Sequence, residues 1–169
     1  MFKMMLLALA VAAQDAPSRH VRASEPQILA LIDAGLSRSA TFRSVVATLD
    51  ASDVIVYLHQ KRGRENLGGY MANGVIARGG YRYLQISLQA RGSQDRLVPL
   101  LAHELQHAIE IAQSPDAVDA ESAKRAVARL ALPNGCADST CYETQGALNV
   151  EYAVSAELKG QRPPAPRAD

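Results

Sequence analysis

Leu97-Val98-Pro99-Leu100-Leu101-Ala102-His103-Glu104-Leu105-Gln106-His107-Ala108-Ile109-Glu110-Ile111 is the stretch on which the fold turns. Leu97, Leu100, Leu101, Leu105, Ala108 and Ile111 recur at helical spacing, Ser93 after Gly92 offers an N-cap, and Ser114-Pro115 ends the pattern. The stretch is therefore expected to be an amphipathic central helix. At about 3.6 residues per turn, His103 and His107 stack one turn apart on one face, and Glu104 lies about 100° around from His103.

The segments on either side change character. Upstream, Ile28, Leu29, Leu31 and Ile32, then Phe42, Val45, Val46 and Leu49 after an interruption at Gly35, predict two helices or one broken helix between Glu25 and Leu49. Val54-Ile55-Val56-Tyr57-Leu58 switches to a β-branched and aromatic run, which predicts a short strand. From Leu67 to Ala90, Gly68-Gly69, Asn73-Gly74 and Gly79-Gly80 punctuate an alternating apolar pattern, which is antiparallel hairpin material with either of the last two pairs as its turn. Downstream, helical patterns run from about Asp116 to Leu132 and from about Thr140 to Lys159. The order predicts an α+β domain: a small antiparallel sheet of about three strands packed on the central helix, with further helices before and after it.

The whole chain sets the frame for this domain. Its 169 residues allow one domain, expected over 25–159, with 14–24 a flexible N-terminal segment and 160–169 a disordered Pro-rich tail. Lys plus Arg number 18 against 17 Asp plus Glu, a net charge of +1, and aromatics are 5%, so nothing marks a nucleic-acid surface. Met4 to Ala13 is an apolar run after Lys3, with small residues at its end and polar Gln14-Asp15 beyond. It reads as a signal peptide over 1–13, too short for a stable membrane span, and predicts a secreted or periplasmic protein. In such a compartment Cys136 and Cys141, separated by four residues after Pro133-Asn134-Gly135, are expected to form a small-loop disulfide.

His103-Glu104-Leu105-Gln106-His107 is an H-E-x-x-H pattern, in which two imidazoles bind zinc and the glutamate is a general base. Zinc lowers the pKa of a coordinated water to ~7 and polarises a carbonyl. Glu104 is then positioned to take the proton and pass it to a leaving amine. Extended by Ala108, these six residues resemble the active-site helix of the thermolysin-like zinc peptidases, the gluzincins. The resemblance implies a minimal catalytic domain acting on a peptide or protein substrate, and a glutamate third ligand from a later helix.

Glu143 is the expected third ligand, because it heads a stripe of Ala147, Val150, Val154 and Leu158 and so faces a core where a carboxylate needs a compensating charge. Glu121 is the next choice, although its face of the preceding helix points toward water with Arg125; Glu110, Asp116, Asp119 and Glu151 follow. Glu110 shares the histidines' face but lies about 10.5 Å from His103 along the axis, which casts it as a hydrogen-bond acceptor behind the ligands or a helix contact. The gluzincin aspartate four residues beyond the ligand glutamate is replaced by Ala147, so support for a histidine must come from elsewhere. Tyr142, Tyr152 and His59 are candidates for stabilising an oxyanion, and none is singled out. The competing reading is a secreted non-catalytic domain that binds zinc or a protein partner.

Overall fold

The computed structural model describes residues 20–60, 69–89, 91–133 and 142–167. The signal peptide expected over 1–13 and the disulfide expected between Cys136 and Cys141 lie outside them. The described residues form an α+β unit in the order β1 (Val21–Ala23), α1 (Pro26–Arg38), α2 (Ala40–Asp50), β2 (Val54–Gln60), β3 (Gly69–Arg78), β4 (Tyr81–Leu88), α3 (Gln94–Ala112), α4 (Ala120–Ala128) and α5 (Gln145–Leu158).

The sheet has four strands in the order β1-β2-β4-β3 and is mixed rather than antiparallel. β1 pairs parallel with β2, β2 parallel with β4, and only the β3–β4 hairpin is antiparallel. The hairpin docks with its second strand inward, so β4 rather than β3 lies beside β2. The unbroken apolar run of β2 suits a strand covered on both faces, as parallel strands are. Its Val54, Ile55, Val56 and Leu58 are all buried. The extra strand comes from the segment expected to be flexible: Val21 is buried, and His20 C=O accepts from Val56 N–H at 2.7 Å.

Gly79-Gly80 makes the hairpin turn, both residues in the left-handed region. Gly74 instead marks an irregularity, the register shifting between Ala72 and Val75. A Cβ there would stand 2.4 Å from that of Ala120, so a glycine lets α4 lie against β3. The break between the first two helices falls at Ser39, not Gly35. Ser39 caps α2, its Oγ accepting from Phe42 N–H at 2.9 Å, while Gly35 stays helical beneath the Phe42 ring.

α3 is the central helix of the packing. The sheet, α1, α2, α4 and α5 all pack against it, and α5 also meets α1 and α2. Val98, Leu101, Leu105, Ala108 and Ile111 join the core, while His103, Gln106, His107 and Glu110 meet α5 or the residues leading into it. Beyond α5 the chain turns at Gly160 and runs without regular structure to Arg167, where the Asn149 side chain donates to Arg167 C=O and accepts from its N–H.

One buried cation pins the far end of α3. Arg82, on the inward face of β4, is bidentate to Asp53 at 2.8 and 2.7 Å and donates to the carbonyls of Ile111, Ala112 and Ser114 at 2.7–2.9 Å. It satisfies carbonyls a helix C-terminus leaves open and suits the negative end of the dipole. The Arg82 hydrogen bonds, partly opposed by burial, hold the Asp53 carboxyl below its usual 3.8. Arg82→Met should cost about 3 kcal/mol at neutral pH, measured by urea unfolding. A lowered carboxyl value contributes stability that is full above the unfolded value and is lost as pH falls through the folded one. The gap between wild type and variant should therefore narrow as pH drops through 3.8. A gap of constant size from neutral pH to pH ~2.5 would show that the Asp53 pair adds nothing to stability.

Candidate metal centre

The helical spacing of the motif brings His103 and His107 together with ring centroids 4.9 Å apart and ring planes 80° apart. The third group arrives from outside α5 rather than on it. Glu143 is the residue before Thr144, the N-cap of α5, so the stripe expected to carry it begins only at Ala147. Its Oε1 stands 3.4 Å from His103 Nε2. One ligand atom each from His103, His107 and Glu143 lie within 4.8 Å of one another, an arrangement that could hold a metal ion.

Both imidazoles are held from behind by carboxylates. His103 Nδ1 is 2.9 Å from Glu151 Oε2, and His107 Nδ1 is 2.8 Å from Glu110 Oε2. A neutral imidazole with its Nδ1–H so engaged presents Nε2 as a lone pair, the tautomer that binds a cation. The donor set therefore fits a metal. Glu110 is buried, and its second oxygen accepts from Thr144 Oγ1 at 2.6 Å.

Charge is concentrated here. Burial works against protonating His103, yet the hydrogen bond to Glu151 and the charges of Glu143, Glu104 and Glu151 outweigh it and raise its pKa. Glu104, 6% exposed, is also raised, first by burial and further by Glu143 and Glu151, against the pull of His107 and His103.

The other candidates fall elsewhere. Glu121 is exposed on α4. Asp116 pairs with Arg129 at 3.3 Å, and Asp119 caps α4 by accepting from Ser122 N–H at 2.8 Å. Glu110 and Glu151 stand behind the histidines. Tyr142 packs against the core, Tyr152 is exposed on α5, and His59 stands 3.7 Å from Glu25. Two surface hollows, one between α5 and the segment after it and one beside the β3–β4 turn, lie apart from the cluster.

Two contributors were not assigned these roles from sequence, Glu151 as the partner of His103 and Thr144 as the partner of Glu110. Glu151 carries a readable signal, an acidic residue one turn past Ala147 on the buried side of α5. Thr144 shows only as a capping residue type. No family model, curated protein or solved structure matches the chain.

Purified chain should bind one divalent transition-metal ion, read by elemental analysis after dialysis. Glu143→Gln should weaken binding at least about tenfold, the scale on which even supporting residues act. Glu121→Gln should leave it unchanged. Equal affinities for the Glu143→Gln variant and the wild type would remove Glu143 from the site.

Proposed function

We propose that this protein is a zinc-dependent metallopeptidase that hydrolyses peptide bonds with Glu104 as general base. The observation that carries the reading is a combination. His103, His107 and Glu143 converge, both histidines have Nδ1 engaged by carboxylates, and a further buried carboxylate, Glu104, lies in their electrostatic reach. Two imidazoles and one carboxylate favour zinc among the common divalent ions, and three protein ligands leave a position open.

A bound zinc would polarise the scissile carbonyl and acidify water. His103, His107 and Glu143 would hold it. Glu104 accepts a proton from the attacking water as the oxygen adds to the carbonyl carbon, then gives it to the amine nitrogen as the C–N bond breaks. Its buried setting makes it a stronger base than an exposed carboxylate. Glu151 and Glu110 orient the histidines throughout.

A non-catalytic zinc site would not require Glu104, which bonds to neither histidine's Nδ1. The apolar leader over Met4–Ala13 supports export, so the substrate would be met outside the cytoplasm. No helix among the described residues is long and apolar enough to cross a membrane.

Glu104→Gln should keep stoichiometric zinc and lose turnover of unfolded casein by about 10²–10⁴-fold, the usual contribution of a general base. Zinc bound by wild type with no turnover of casein or a mixed peptide library would leave the non-catalytic reading. Undiminished turnover in the variant would remove Glu104 from the chemistry.

A further inference from the structure

The third ligand is the most weakly anchored of the three by backbone alone, because Glu143 sits ahead of α5 rather than within it. Its carboxylate nevertheless has a defined neighbour, Thr144, whose N–H donates to Glu143 Oε1 at 3.1 Å. Thr144 is 1% exposed, and its hydroxyl makes two further hydrogen bonds. Its hydroxyl accepts from Ala147 N–H at 3.1 Å, starting α5, and donates to Glu110 Oε1 at 2.6 Å. The other oxygen of that same carboxylate is on His107 Nδ1.

These bonds form an open circuit. It begins at His107, passes through Glu110 on α3, crosses to Thr144 at the head of α5 and ends at Glu143. The gap between Glu143 and His107 is where the cation would sit. We propose that Thr144 is a positioning residue of the metal centre: through Glu110 it sets Glu143 against His107, so ligands from separate segments present one preformed site. This rests on the cation-binding part of the proposed function and not on hydrolysis.

A hydroxyl is the group this position needs. It can accept from a backbone N–H and donate to a carboxylate at once, whereas valine, of similar shape, does neither. Gly146 adds an independent observation. A Cβ on it would stand 3.1 Å from Glu110 Oε1 and 3.4 Å from Gln106 Nε2. The helix of α5 therefore leaves room at the point where Glu110 crosses to Thr144. Both oxygens of Glu110 are engaged, so it cannot yield to a methyl group without lengthening the bond to His107 or to Thr144.

The two positions separate folding from positioning. Thr144→Val removes a cap as well as the Glu110 bond, so its stability should fall whatever its role at the site. Gly146→Ala puts a better helix former inside α5 and deletes no hydrogen bond.

The test is zinc affinity of the full chain, by competition with a chromogenic chelator, alongside thermal unfolding of the metal-free forms. Thr144→Val should bind zinc about 10–100-fold more weakly, the range found for supporting partners of metal ligands, and Thr144→Ser should restore most of the loss. Gly146→Ala should bind several-fold more weakly with no fall in the metal-free melting temperature. In a Glu143→Ala background, Thr144→Val should lose most of its effect on affinity, because it acts through that ligand. Wild-type affinity in both Thr144→Val and Gly146→Ala would overturn the positioning role while leaving the zinc site standing. Failure of the wild type to bind zinc would overturn the cation-binding reading itself.

Discussion

A buried helix can carry two histidines and two glutamates only where such groups find polar partners, on the helix itself or across an interface. α3 is in that position, packed against the sheet, the first two helices and α5. His103, Glu104, His107 and Glu110 are each less than a tenth exposed. Burying such groups without partners costs several kcal/mol apiece, of the order of a domain's whole stability. The arrangement of α5 follows from this. Its first two turns and the two residues before it bring Glu143, Thr144 and Glu151 to the polar side of α3, and Gly146 gives Glu110 and Gln106 space.

The C-terminal end of α3 is held by different means. Arg82 and Asp53 tie the helix C-terminus to β4 and to the start of β2, so the sheet fixes where the helix ends. The motif lies in the middle of the same helix, between this anchor and the packing of its first turns by Leu97 and Val98. A rigid segment anchored at its end is the support a metal site requires, because affinity depends on ligands being placed before the ion arrives.

Residues that specify structure by pattern were legible, and residues that specify it by partnership were not. The α3 pattern, the two histidines and the base candidate Glu104 follow from helical spacing, which is local. Glu143 was reachable as a carboxylate facing the core, although it does so from the residue before the cap. Sheet order was not legible, because alternation shows that β3 and β4 form a hairpin but not which of them meets β2. β1 was missed since three residues carry too little pattern, and its pairing is decided by β2. Glu151 and Thr144 acquire meaning only once α5 is laid against α3, a non-local fact.

Charge closes the argument for a cation. Glu104, Glu110, Glu143 and Glu151 surround two imidazoles, and no lysine or arginine bonds to any of the six among the contacts of the described residues. The carboxylates around His103 raise its pKa, and burial with Glu143 and Glu151 raises that of Glu104. A dication at the ligand atoms would supply two charges at one point while the Nδ1 atoms stay on their carboxylates. The hydrogen bonds already made behind the histidines are those the cation-bound form needs. Ion binding would therefore ask for no rebuilding of the α3–α5 interface.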